Sequence, residues 1–213
     1  MRVRSAAVGV LLLAACRRAP GGTIAARPGE IEFPATVQAA AFDGSGDMAG
    51  YHAVVARGGH AAHAALLVAD VSDRDVLAAL ERLGARPGGD LPFEAWTRRR
   101  DGKSRAPDAV AAGPRVEVLL RLPGRPLPVP LADVLEDPGG RGVEMRFPGN
   151  AGNIPKWESG CVVCLYSCPG AKVANARYTV RHFVAGATRF RARTEGLPPD
   201  GARVGVILRV SAG

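Results

Sequence analysis

Four cysteines and three lysines are all that this 213-residue chain contains, and no apolar run in it is long enough to cross a bilayer as a helix. The last shortage excludes a helical membrane span. The lysine shortage stands beside 25 arginines and heavy alanine, glycine and proline usage, which reads as the amino-acid bias of a GC-rich genome. A net charge of +8 is therefore weak grounds for a nucleic-acid partner. The basic residues are scattered except at Arg98, Arg99 and Arg100, a triplet in a breaker-rich stretch that reads as a solvated loop, and no nucleic-acid binding is expected. Also missing are a P-loop, a His-Glu-x-x-His helix, a Gly-x-Ser-x-Gly elbow and a Cys-x-x-Cys-His haem site. The chain thus carries no signature of a named reaction; that shortage does not exclude an enzyme, and a binding or accessory protein is the favoured reading. At 47% hydrophobic and 23% charged residues, it has the composition of a protein with one globular core.

What is present begins at the first residues. Arg2 and Arg4 precede an apolar stretch from Ala6 to Leu13, and Leu13, Ala14, Ala15 and Cys16 then read "LAAC". This run resembles the lipobox of bacterial lipoproteins, in which the cysteine sulfur receives a diacylglycerol. Residues 1–15 are accordingly expected to be a signal peptide and 16–30 a lipidated, Pro/Gly-rich tether. The folded domain then occupies 31–213. Attachment through Cys16 places it in the cell envelope, outside the cytoplasmic membrane on the periplasmic face of the inner or outer membrane. An envelope protein partner is also expected, without a feature that identifies it.

Along the domain, 35–42 and 51–57 read as two strands around the turn-forming "DGSGDMAG", a hairpin, and 64–70 as a buried third strand. "SDRDVLAALERLG" has helical grammar: Ser72 as cap, Val76, Leu77, Leu80 and Leu83 as an apolar stripe, Gly84 as stop. Residues 88–113 read as irregular. "PRVEVLLRL" and "GRPLPVPL" alternate like a hairpin whose Pro128 and Pro130 fit only on an edge. A short helix at "LADVLED" and strands at "GVEMRF", "RYTVRHFVAG", "TRFRART" and "RVGVILRV" complete the pattern. Strands outnumber helices and rarely alternate with them. The expected fold class is α+β, one domain with a largely antiparallel or mixed sheet and one or two packing helices.

The chemistry-bearing stretch is 158–172, "ESGCVVCLYSCPGAK", with Cys161, Cys164 and Cys168 inside eight residues. Ferredoxin segments read Cys-x2-Cys-x2-Cys-x3-Cys-Pro. The last three cysteines of that pattern match here, with Pro169 following, while the first position falls on Glu158. Three thiolates leave a four-ligand site incomplete, and Glu158, His182 or a residue from another subunit would have to supply the missing ligand. His182 would qualify if "YTVRHF" is a strand placing it on one face with Tyr178, Val180 and Val184. The Arg17-Arg18 pair lies beyond the expected cleavage point, so the signal is not of the twin-arginine type that exports folded cluster proteins. Export as an unfolded chain delivers bare thiols to an oxidising compartment, which favours a disulfide or a zinc ion in Cys3His ligation over iron. A redox-active Cys161–Cys164 pair and plain core packing remain open alternatives. If the segment is helical, offsets of three and seven residues put all three sulfurs on one face.

Two weaker candidates are discounted. His60 and His63 would diverge on a strand, and Asp43, Ser45 and Asp47 begin like a calcium loop whose twelfth position is Val54 rather than glutamate.

The runs "HAALLVADVSDRDVLAALERLGARPG" and "GCVVCLYSCPGAKVANARYTVRHF" resemble the YdjY domain family of bacterial cell-envelope proteins, over roughly residues 30 to 211. The resemblance implies an envelope protein without an established reaction, in a family some of whose members carry a ferredoxin-like label. Its cofactor would be zinc or none, with an iron–sulfur cluster as the alternative.

Overall fold

A computed structural model of the chain describes residues 22–98, 108–186 and 188–211. Cys16 and its surroundings lie outside the described residues, as do Arg99 and Arg100. The strands in chain order are β1 (Ala25–Arg27), β2 (Glu30–Val37), β3 (His52–Ala56), β4 (Ala65–Ala69), β5 (Val116–Arg121), β6 (Val129–Pro130), β7 (Leu135–Glu136), β8 (Met145–Arg146), β9 (Cys161–Cys164), β10 (Val173–Asn175), β11 (Arg191–Ala192) and β12 (Arg203–Val210). The helices are α1 (Ala39–Phe42), α2 (Asp73–Arg82), α3 (Glu94–Thr97), α4 (Ile154–Trp157) and α5 (Val180–Val184).

One sheet of ten strands organises the domain, in the order β6-β5-β12-β2-β4-β3-β9-β10-β8, with β1 added to β2. Two of its pairings are parallel, β3 with β4 and β9 with β10, and the others antiparallel. A mixed, mostly antiparallel sheet with one substantial helix is the α+β class that the strand-rich pattern implies. The alternation in β2 explains its place at the centre. Ile31, Phe33, Ala35 and Val37 point into the core, while Glu30, Glu32 and Thr36 face outward. On that outer face arginines from β5 and β12 lie over the carboxylates, Arg121 at 2.7 Å from Glu32 and Arg209 at 3.0 Å from Glu30.

Helix α2 forms as its grammar requires. The Ser72 hydroxyl accepts the Asp75 N–H at 3.0 Å, Val76, Leu77 and Leu80 are buried, and Gly84 at φ 86° ends it. The β5–β6 hairpin also forms, with β6 and its Pro130 on the sheet edge.

Four expectations are corrected. Residues 35–42 and 51–57 do not make a hairpin, because the chain leaves β2 at Val37, coils through α1, and β4 inserts between β2 and β3. The cause lies far along the chain: the Asp200 carboxylate takes the N–H groups of Ala39 and Ala40 at 2.6 and 3.2 Å, supplying acceptors for the helix start that the local sequence lacks. The stretch 177–186 is not a strand either. Thr179 and His182 form a capping box that starts α5. Cys161–Cys164 is the strand β9, not a helix, so the one-face argument from helical offsets does not apply. Lastly, the expected tether is ordered in part. Gly29 at φ 77° turns the chain so that β1 pairs with β2, and Arg27 reaches Glu32 at 3.1 Å.

Candidate metal centre

Strands β3 and β9 lie side by side at the middle of the sheet, and every residue of both is buried. Residues three apart on a regular strand point to opposite faces, which would separate Cys161 from Cys164. The β3–β9 ladder, however, slips in register between His52 and Val54 and again between Val54 and Val55. Irregularities of this kind re-aim side chains. A ring nitrogen of His52, Cys161 Sγ and Cys164 Sγ all lie within 4.8 Å of one another, and His52 Nδ1 is 3.3 Å from Cys161 Sγ.

Cys168 approaches from the turn that follows. The Ala171 N–H donates to the Cys168 carbonyl at 3.1 Å, closing the turn, and two buried asparagines brace it. Asn150 donates from Nδ2 to the carbonyls of Cys168 and Ala171 at 3.1 and 2.6 Å, and Asn153 to that of Pro169 at 3.0 Å. Cys168 is buried in this turn, outside the group of three whose ligand atoms lie within 4.8 Å of one another. The Tyr51 hydroxyl itself is fully buried and makes no hydrogen bond of ordinary geometry. An orphaned buried hydroxyl costs about 1–3 kcal/mol.

The polar groups here are shut away from water: His52 is 3% exposed, Cys168 1%, and Cys161, Cys164, Tyr51 and Lys172 0%. Burial, with a smaller contribution from His63, lowers the His52 pKa to about 3, which keeps the imidazole neutral and ready to offer a lone pair. Burial likewise pushes the thiols of Cys161 and Cys164 up. Cys168 differs. Burial alone would raise it, but the neighbouring Cys164 and Tyr51 side chains, the Gly170 backbone and the Lys172 ammonium bring it below the ordinary thiol value. The Lys172 ammonium is held by the Gly170 carbonyl at 2.9 Å and the Asp73 carboxylate at 3.3 Å.

This donor set fits one soft ion. Zinc binds sulfur at about 2.3 Å and imidazole nitrogen at about 2.0–2.1 Å, so its tetrahedral ligands stand about 3.3–3.8 Å apart. A spread of no more than 4.8 Å among three ligand atoms lies within a small adjustment of that geometry. A cubane, by contrast, spreads its thiolates around four irons and needs a wider mouth.

The expected ligands are placed as follows. Cys161 and Cys164 converge with His52, whereas Cys168, buried in the following turn, is not among the three mutually close ligand atoms. Glu158 is exposed, at φ 48° at the end of α4, and its backbone carbonyl rather than its carboxylate is engaged, by the His60 N–H at 3.2 Å. His182 Nδ1 accepts the Thr179 N–H at 2.9 Å within α5. Among the described residues, the histidine that meets the sulfurs is His52. His60 and His63 are exposed. The sequence reading passed over His52, although a histidine inside the otherwise apolar "YHAVVA" was the available signal. Above the centre lies an aromatic cover. Trp96 packs on Tyr51 at 5.8 Å and on Trp157 at 4.8 Å, and a side chain at Gly170 would meet the Trp157 ring at 3.1 Å.

Comparison with known proteins places this geometry in context. The YdjY domain profile matches residues 23–209. The chain is also similar to the Uncharacterized protein YdjY of Escherichia coli (strain K12), 26% identical over 161 residues that cover 75% of this chain and 67% of that protein. No solved structure gives a significant match.

Proposed function

The chain belongs to the YdjY domain family, and on that premise we propose that it is a lipid-anchored cell-envelope binding or accessory protein whose buried cysteine centre holds a metal ion. The observation that carries the metal reading is the convergence of a His52 ring nitrogen, Cys161 Sγ and Cys164 Sγ within 4.8 Å, in a core where such groups have no packing advantage over aliphatic ones. Cys168 supplies the fourth ligand, and the ion is zinc, which tolerates an oxidising compartment without changing valence. A bound ion would draw the three sulfurs together as thiolates and fix β3, β9 and the Cys168 turn as one unit. The centre is then closed, as in structural zinc sites, which supports a binding or scaffolding role rather than hydrolysis.

The anchor rests on "LAAC" at Leu13–Cys16. Cys16→Ala is expected to move the protein from the membrane to the soluble fraction and to abolish incorporation of labelled fatty acid. Unchanged fractionation would remove the lipoprotein reading.

Metal analysis of the exported full-length protein tests the centre. One zinc per chain is expected, lost in His52→Ala and in Cys161→Ser but retained in His182→Ala and Glu158→Gln. Three titratable thiols with no ion would reject it. A second reading, an iron–sulfur electron carrier, draws on the partial match of Cys161, Cys164, Cys168 and Pro169 to the ferredoxin spacing. Visible absorption that bleaches on reduction would favour it over zinc, and an oxidised Cys161–Cys164 pair would favour a thiol oxidoreductase.

A further inference from the structure

Resting on the reading that the centre holds a metal, we propose that Lys172 is its counter-charge: a buried positioning residue, not a ligand, that offsets the negative charge of the metal–thiolate group and so sets how tightly the ion is held.

Three observations lead here. First, Lys172 is 0% exposed, and lysine is almost never fully buried without a charge to meet. Its position is fixed by the backbone, since the Lys172 N–H donates to the Cys161 carbonyl at 3.3 Å and β10 then runs parallel to β9. The buried ammonium therefore belongs to a residue joined by its backbone to the first residue of the cysteine strand. Second, the charge arithmetic leaves a place for one cation. A divalent ion with three thiolates and a neutral imidazole carries one net negative charge, as does a monovalent ion with two thiolates. Burying that charge without an opposite one is strongly unfavourable. Third, the residue type is out of keeping with the chain. Arginine fills all but three of its cationic positions, and of the other two lysines Lys156 is exposed and Lys103 lies outside the described residues. A compact point charge fits a closed space between a carbonyl and a carboxylate, where a planar guanidinium does not.

Asp73 is the competing partner, 3.3 Å from Nζ. Its carboxylate has other support. It occupies the first turn of α2, where the exposed N–H groups favour negative charge, and its side chain keeps 12% exposure against 0% for Lys172. Lys172 is held by Asp73 on one side and by the Gly170 carbonyl at 2.9 Å, two residues beyond Cys168, on the other.

The test compares the full-length protein with Asp73→Asn and with the double variant Lys172→Met/Asp73→Asn, which removes both charges and leaves neither stranded. Zinc affinity is measured by competition with a chromophoric chelator, and cobalt substitution reports thiolate ligation by its charge-transfer bands. The expected result is a zinc Kd about 10–100-fold higher in the double variant, a range typical of groups acting from behind the ligands, with thermal unfolding close to wild type. Asp73→Asn is expected to shift the Kd the other way, because it frees the ammonium for the centre. A merely structural ion pair would not produce opposite signs. A double variant with wild-type zinc affinity overturns the proposal, as does an Asp73→Asn that binds as weakly as the double variant. If the wild-type protein takes up neither zinc nor cobalt, it is the metal reading itself that falls.

Discussion

The outward face of β2, β5 and β12 and the interior between β3 and β9 both carry charged side chains, under opposite physical terms. On the outer face Arg121, Arg209 and Arg203 lie over Glu32, Glu30 and Asp70, with arginine side chains 43–55% exposed. Such pairs sit in water, are screened by salt, and contribute about 0–1 kcal/mol each. In the interior a single lysine, a histidine and three thiols are sealed from solvent. There each unmatched charge or polar atom is expensive. The difference teaches where to look for function: the many arginines of the surface follow from composition and are cheap to keep, while the few polar groups of the core persist against a penalty.

Breaking the interior pair should therefore have the largest effect. Lys172→Met alone strands the Asp73 carboxylate and is expected to destabilise the protein by about 3–5 kcal/mol in urea unfolding. A loss under 1 kcal/mol would mean that water reaches the pair and that the interior resembles the surface after all. Asn150→Ala should come next. It leaves the Leu91 N–H and the Cys168 and Ala171 carbonyls without their partner, for about 1–3 kcal/mol, and it loosens the Cys168 turn, so zinc affinity should fall with stability. Retained affinity would detach Cys168 from the site. Arg121→Ala on the outer face should have the smallest effect, below about 1 kcal/mol and vanishing in high salt. Its pH signature has a definite sign. The hydrogen bond from Arg121, opposed by partial burial, holds the Glu32 carboxyl below its ordinary range. That contribution is present above the unfolded carboxyl pKa and is lost as pH falls through the lower folded value. Wild type and Arg121→Ala should hence converge in stability at acid pH, and a gap that persists there would point to packing by the arginine stem instead.

Elements specified by neighbours in the chain were legible in advance. The Ser72 cap and apolar stripe of α2, the alternation of β12 and the proline-bearing edge hairpin each depend on residues within one turn or one pairing. What depends on distant residues was not legible. α1 takes its start from Asp200, and β4 separates β2 from β3 for reasons written nowhere between them. α5 was misread because "YTVRHF" alternates like a strand while Thr179 and His182 cap a helix. The centre divides in the same way. Its cysteines announce themselves by spacing, whereas His52 joins Cys161 across 109 residues and Tyr51 and Lys172 carry no pattern at all.

The aromatic cover has a practical consequence. The chain's only tryptophans, Trp96 and Trp157, are 4.8 Å apart, and Trp96 packs on Tyr51, whose chain neighbour His52 meets the Cys161 sulfur. Indole emission from this protein is thus a local gauge rather than an average over the molecule, and an unlabelled sample excited in the ultraviolet should register an open-shell ion such as cobalt arriving at the cysteines as quenching.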